Sequence, residues 1–295
     1  MNWKLLLAGF CLSLAACGDG SRETEIGVVS FNVRLDSELD GDDRWENRRQ
    51  AVAEMIRRER PTLVGLQEAQ PHQIGFLNAN CPGYAWYGVG RDSGKVPSET
   101  GEYPAEETMA VFWRESEVEL LDKGTFWLSQ TPDSVSKGWD AFCNRTCTWG
   151  LFRCRASGQR FYFFNTHLDH IGGTARAESM KLIAARLGAI NAEGAPVILT
   201  ADFNSRTTDA CFAPLHARMA EARAEAPLTD DKPSWNGYGR KSAPNWLDHI
   251  FFAGGGCSAV EFRTLTDDYG APYISDHYPV SARFRLLSRT AACGL

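Results

Sequence analysis

The segment LTADFNSR, Leu199 to Arg206, ends an apolar run with a carboxylate and, two residues on, an amide. Side chains alternate faces along a strand, so Asp202 and Asn204 point the same way. Such a pair at the C-terminal end of a strand can hold a metal or orient a water. In isolation an ordinary strand exit reads the same, because Asp and Asn are good turn residues. Other polar residues repeat the placement. Asn32, Glu68, His167 and Asp248 each lie within or at the end of an apolar run, and SDH (Ser275 to His277) directly precedes another. A protein interior does not accept charged groups unless they are paired or hold a metal. Each has a dull explanation alone: a satisfied core histidine for His167, a solvated strand end for Glu68. Together they point to one polar centre built at strand ends.

The elements that must position these residues are legible as alternating or continuous apolar runs. EIGVVSFNVR, TLVGLQE, TMAVFWR, RFYFFNTHL, PVILTADFN, WLDHIFF and HYPVSARF read as strands. Phe161, Phe163, Asn165 and His167 share one face of theirs. RWENRRQAVAEMIRRERP reads as an amphipathic helix with Val52, Met55 and Ile56 on its apolar side, stopped by Pro61. A second helix is expected from about Thr174, its N-cap, with Met180, Ile183, Ala184, Leu187 and Ile190 on one stripe; Gly194 and Pro196 close it. Strands with a few long helices between them imply an α/β or α+β fold of packed sheets covered by helices.

The 295 residues, 43% hydrophobic, suffice for one large core, and neither repeats nor a low-complexity linker divide the chain after residue 25. Net charge is −6 with no concentrated run of Lys or Arg, which argues against a broad basic surface for nonspecific nucleic-acid binding and leaves a local groove open. The N-terminus, MNWKLLLAGFCLSLAACGDG, carries an apolar stretch too short to span a bilayer comfortably. It reads as an export signal over residues 1–16, and LAAC resembles a bacterial lipobox that would lipidate Cys17 and tether the protein to a membrane through residues 17–25. Ordinary signal cleavage nearby, or a buried apolar helix, is the competing reading. Of the nine cysteines, Cys11 and Cys17 would be lost or lipidated, which leaves an odd number. CNRTC, Cys143 to Cys147, could close a small disulfide loop in an oxidising compartment.

The segments SFNVR (Asn32), LVGLQE (Glu68), NTHLD (Asn165, His167), TADFN (Asp202, Asn204), LDHIF (Asp248) and SDHYPV (Asp276, His277) resemble, in order and over residues 26–286, the endonuclease/exonuclease/phosphatase family. That resemblance implies a deoxyribonuclease-like four-layer architecture, two packed mixed β-sheets in a sandwich flanked by helices, with residues 287–295 as a tail. It implies Mg²⁺, with Mn²⁺ as a substitute, held by Glu68 with Asn32 and Asp276. Asp202 and Asn204 would position or activate the attacking water, His277 would pair with Asp248, and Glu107 would orient His167. One histidine–carboxylate pair would take a proton from water while the other protonates the leaving oxygen or holds the phosphoryl group; which does which stays open. The chain departs from the family pattern at Trp246, where a basic residue is common, and at His249, where Tyr is common.

The loops between these motifs should set specificity. Arg91 and Lys95 are expected as phosphate-binding candidates, Asp140 and His170 as site-edge residues, and Trp127, Trp139 and Trp149 as cleft-lining candidates with core packing as the alternative for most of them. The expected substrate is a phosphate ester, and the expected activity a metal-dependent phosphodiesterase on a non-nucleic ester at the cell envelope, from a monomer. A surface nuclease and a catalytically inactive binding lipoprotein are the alternatives.

Overall fold

The computed structural model describes residues 23–97, 105–240 and 245–287. The signal segment, Cys17, most of the tether, Cys293 and the tail beyond Leu287 lie outside the described residues. Twelve strands form two six-stranded sheets. In chain order they are β1 (Glu23–Asn32), β2 (Leu63–Gln67), β3 (Tyr84–Tyr87), β4 (Val111–Arg114), β5 (Val118–Trp127), β6 (Thr146–Cys154), β7 (Arg160–His167), β8 (Val197–Asp202), β9 (Ala220–Glu221), β10 (Asp248–Ala253), β11 (Cys257–Thr264) and β12 (Val280–Leu287). One sheet has the order β11-β12-β1-β2-β4-β3 and the other β5-β6-β7-β8-β10-β9.

Each sheet has a parallel pair at its centre, β1 with β2 and β7 with β8, and antiparallel neighbours outside it. Parallel neighbours need a crossover, and helices supply it: α1 (Trp45–Glu59) joins β1 to β2, and α3 (Gly173–Ile190) joins β7 to β8, while α2 (Pro71–Asn80) follows β2. The central strands are buried on both faces, which is why their sequences read as nearly continuous apolar runs. Ile26, Val28, Phe161, Phe163, Ile198 and Ile250 pack between the sheets, Val52, Met55 and Ile56 seal α1 onto one outer face, and Met180, Ile183 and Leu187 seal α3 onto the other. The result is the expected four-layer sandwich.

A polar stitch crosses this apolar interior. Asn165 of β7 donates to the carbonyls of Leu66 and Ala110 at 2.8 and 3.1 Å and accepts from Gln67 Nε2 at 2.7 Å and Thr200 Oγ1 at 3.1 Å. Gly65 makes room for it: a Cβ there would stand 2.2 Å from Thr200 Oγ1 and 2.6 Å from Asn165 Oδ1. Only Gln67 Oε1 lacks a partner in this network, which fixes the relative position of two sheets that apolar contacts alone would let slide.

Helix α1 stops at Glu59 because Arg60 turns left-handed ahead of Pro61. Helix α3 begins differently from expectation. Its N-cap is Gly172, not Thr174, and the acceptor for the Thr174 and Ala175 N–H groups is the side chain of Asp140, 3.2 and 2.6 Å away, contributed by a distant loop. The Cys143–Cys147 disulfide that the spacing allowed is not formed, and both thiols are free. Cys147 is buried beneath β6 in the core, whereas Cys143 faces the Asp169 carboxylate at 3.9 Å, so the two side chains leave the chain in different directions. Among the described residues, no helix is long and apolar enough to cross a membrane.

Candidate active site

The topology brings the strand-end residues to one edge of the sandwich. Asn32 ends β1, Glu68 follows β2, His167 ends β7 and Asp202 ends β8, all at the C-terminal ends of the parallel pairs. The antiparallel strands enter from the same edge: Asp248 opens β10 directly opposite Asp202, and His277 precedes β12. They surround a cleft of about 500 Å³ whose lining includes Glu68, Glu107, His167, Asp202, Asn204, Asp276 and His277. Glu68 and Asn204 both hold left-handed backbone angles, φ 60° and 49°, a conformation that costs energy in a residue with a Cβ and places both side chains at the strand exits.

Asn32 Nδ2 donates to Glu68 Oε1 and to Asp202 Oδ2, both at 2.9 Å, while its Oδ1 accepts from the Arg34 N–H at 3.0 Å. The amide therefore bridges the carboxylates of the two sheets, and its oxygen accepts one backbone N–H. Burial would raise the Glu68 carboxyl, but the Asn32 amide, the Arg34 guanidinium and the Leu35 N–H together hold it below the usual carboxylate range. Asp202 also receives the Asn32 amide and the Asn204 N–H, with the His277 cation nearby, but these are not enough. Burial and the neighbouring Asp248 charge lift it to about 7.

The two histidines are in opposite states. His277 Nδ1 lies 2.7 Å from Asp248 Oδ2 and its Nε2 lies 3.8 Å from Asp202 Oδ2. Burial opposes its charge, yet these two carboxylates overcome that and hold it protonated, with its pKa well above the ordinary value. His167 is pushed well below it by burial and by the Arg145 and His277 cations. Asn204 Nδ2 already donates to the Leu168 carbonyl at 3.0 Å and meets His167 Nε2 at 2.9 Å. An amide nitrogen only donates, so Nε2 accepts and the proton of neutral His167 sits on Nδ1. Glu107 stands beside it without a hydrogen bond. Glu107 Oε2 stands 4.0 Å from Nδ1 and is drawn instead to Arg91 Nη1 at 2.6 Å, because a full cation outcompetes a neutral ring. Both Nδ1 and Oε2 are left buried without a hydrogen bond.

Asp276, pushed upward by burial with Glu68 close by, completes a set of crowded acidic groups. Asp202, Asp248 and His277 present donor atoms within 4.8 Å of one another, so this group could hold a metal ion. The donor set fits a hard divalent cation: Asp202 and Asp276 are each raised by burial and by a neighbouring carboxylate, and Asp248 Oδ1 is a buried acceptor with no hydrogen bond. Within the set the oxygens suit an ion better than His277 does, since its Nδ1 is committed to Asp248 and its ring is charged.

Among the loop residues, Arg91 and His170 line the cleft, whereas Asp140, Lys95 and the three tryptophans do not. Asp140 is consumed in capping α3 and Lys95 is exposed outside the cleft. Trp127 is buried with its indole N–H on the Arg91 carbonyl at 2.7 Å, and Trp149 packs against Tyr162 and Phe164. The residues that sequence reasoning missed are Arg34, Arg145 and Asp169. Arg34 is paired with Asp40 at 3.0 Å and lies 3.9 Å from Glu68. Its position two residues after Asn32 was a usable signal, as was Asp169 two after His167. Arg145 sits in a loop with no periodicity and had none.

The sequence profile of the endonuclease/exonuclease/phosphatase family matches residues 29–277. A Bacteroides thetaiotaomicron protein of that family has the same fold with a TM-score of 0.82 at 31% identity, over 90% of this chain and 99% of its own. A mannosyl-6-phosphatase from Bacteroides thetaiotaomicron VPI-5482 gives 0.80 at 32% identity, over 90% of this chain and 100% of its own. An uncharacterized protein of Acanthamoeba polyphaga mimivirus is 23% identical over 256 residues, 80% of this chain and 91% of that one. With the profile running from β1 to His277, and so across both sheets and the cleft they share, the chain belongs to the endonuclease/exonuclease/phosphatase family of metal-dependent phosphoesterases.

Proposed function

We propose that this enzyme hydrolyses phosphate esters of small non-nucleic alcohols, sugars above all, at the cell envelope. The observation that carries the reading is the shape and charge of the cleft. It holds about 500 Å³, a small-molecule volume, and its Arg34 and Arg91 guanidiniums are already matched by Asp40 and Glu107. Affinity for a nucleic-acid duplex rests on a run of unspent cations along many phosphates, and the net charge of −6 supplies no such surplus. Likeness to a mannosyl-6-phosphatase at 32% identity points the same way. Monoesters stand beside diesters as candidate substrates.

The carboxylate oxygens of Glu68 and Asp276 would hold Mg²⁺ or Mn²⁺, which when bound neutralises charge on the phosphoryl oxygens. The chain's own groups do the rest. Asp202, with a pKa brought to about 7, is matched to accept a proton from a water held beside Asn204. His277, protonated and fixed through Nδ1, offers its Nε2–H to a phosphoryl or leaving-group oxygen. Neutral His167, locked by Asn204, lines the same cleft with its Nε2 3.4 Å from Asp202 Oδ2. Export and a lipid anchor at Cys17 are supported by the sequence of residues 1–17.

The test is a hydrolysis panel in Mg²⁺ and in Mn²⁺ at moderate salt. Sugar phosphates, lipid head-group and glycan-linked diesters, RNA and plasmid DNA would be compared by kcat/KM. The small esters are expected to lead. Preference for plasmid with a steep fall against salt would overturn the reading and leave the family assignment intact.

A further inference from the structure

We propose that Phe142, Arg145 and His170, a lip on the same cleft, form the subsite for the alcohol part of the ester, and that this subsite takes a cyclic polyol such as a hexose ring; the inference rests on the small-ester reading above. Phe142 is 65% exposed, yet it is rigidly mounted. Its backbone N–H donates to Asp169 Oδ2 at 3.0 Å, as does Arg145 Nε at 3.3 Å, while the N–H groups of Ile171 and Gly172 donate to Oδ1 at 3.1 and 2.8 Å. Asp169 is buried, and these donors hold its carboxyl well below the usual carboxylate range despite the opposing effect of burial. One buried carboxylate thus spends its acceptor capacity on clamping two loops together, with an exposed aromatic ring carried on the clamp. A fixed backbone, with the ring against His170, reduces the freedom that binding would have to remove, which would otherwise subtract from affinity.

The chemistry of the lip selects its ligand. The Phe142 and His170 rings meet edge to face, centroids 5.3 Å apart, which leaves a ring face of Phe142 available. A guanidinium cannot accept, so Arg145 Nη2, 3.0 Å from His170 Nδ1, donates to it. Burial and the Arg145 charge lower the His170 pKa, so the ring is neutral and its proton is on Nε2. The lip therefore offers one flat apolar face and N–H donors, and its three side chains supply no acceptor. A sugar ring matches that set, with a C–H face and hydroxyl oxygens that accept. A nucleobase brings its own N–H donors, which would be left unpaired here at a cost.

The experiment compares kcat/KM for hexose 6-phosphate with that for glycerol phosphate, an open-chain ester, in the full protein with Mg²⁺. Because Phe142 is exposed, Phe142→Ala removes the ring without opening the core. The ratio of the two values should fall by about tenfold in Phe142→Ala, the scale of one lost aromatic contact, fall likewise in His170→Ala, and recover in Phe142→Trp. An unchanged ratio in Phe142→Ala overturns the inference. A wild type that cleaves small esters without preferring the ring overturns it while the functional reading stands; a wild type that prefers plasmid DNA overturns both. Where turnover is too slow to compare, saturation-transfer NMR with free hexose decides: signal in the wild type that is lost in Phe142→Ala supports the subsite, and no signal in the wild type refutes it.

Discussion

Replacing Asp248 by Asn isolates the charge that holds His277 protonated. The side chain keeps its volume in a site only 3% exposed, so packing is unchanged. Two electrostatic effects then oppose each other. The charge-assisted hydrogen bond to His277 Nδ1 at 2.7 Å becomes a neutral one, a loss of roughly 1.5–3 kcal/mol. Asp202 meanwhile loses a carboxylate neighbour that helps lift it from 3.8 to about 7; burial and Asp248 together amount to roughly 4 kcal/mol, with burial the larger part, so the relief is on the order of 1–2 kcal/mol. The two largely cancel in stability, so the melting temperature should move by only a few degrees at about 2–4 °C per kcal/mol. They do not cancel in catalysis. An Asn amide can donate to Nδ1 and force the wrong tautomer, and the rate should fall by roughly 10²–10⁴. The assay is kcat/KM on a small phosphate ester with Mg²⁺, beside a thermal melt of the same preparation. A rate within tenfold of wild type would remove the pair from the mechanism. A melt lowered by about 10 °C or more would show that Asp248 is chiefly structural.

The remaining expectations concern metal, fold and anchor. Asp202 is raised in the folded state, so folding favours its proton; the metal-free protein should lose stability as pH rises from about 4 through 7, and Mg²⁺ should restore it, with proton release measurable by calorimetry near pH 6 and fading by pH 8. Metal binding that is indifferent to pH across that range would count against Asp202 lying beside the metal. Glu68→Gln should weaken Mg²⁺ binding and activity without unfolding, since Glu68 lies at a strand end; full activity of wild type in excess chelator would sink the metal assignment. Gly65→Ala should cost roughly 1–3 kcal/mol in denaturant unfolding, because the added methyl would stand 2.2 Å from Thr200 Oγ1. Cys17→Ser should abolish incorporation of radiolabelled lipid, and label retained in the variant would rule out the anchor.

Much of the catalytic edge was legible in the chain itself. Asn32, Glu68, His167, Asp202, Asn204 and Asp248 betray themselves because a polar residue closing an apolar run is costly unless the fold gives it a purpose. The helices α1 and α3 are likewise visible as apolar stripes, since their periodicity is a local property. What the sequence could not determine was which partner each polar group would choose. Glu107 prefers Arg91 to His167, and Asp140 caps α3 in place of Thr174, because those contacts join segments far apart in the chain and are settled by distance and charge once the two sheets have closed. The short antiparallel strands β3 and β9 and the Asp169 clamp were hidden for the same reason. Their residues carry no periodicity of their own, and only the packed sandwich, stitched through Asn165 and Gly65, decides what they touch.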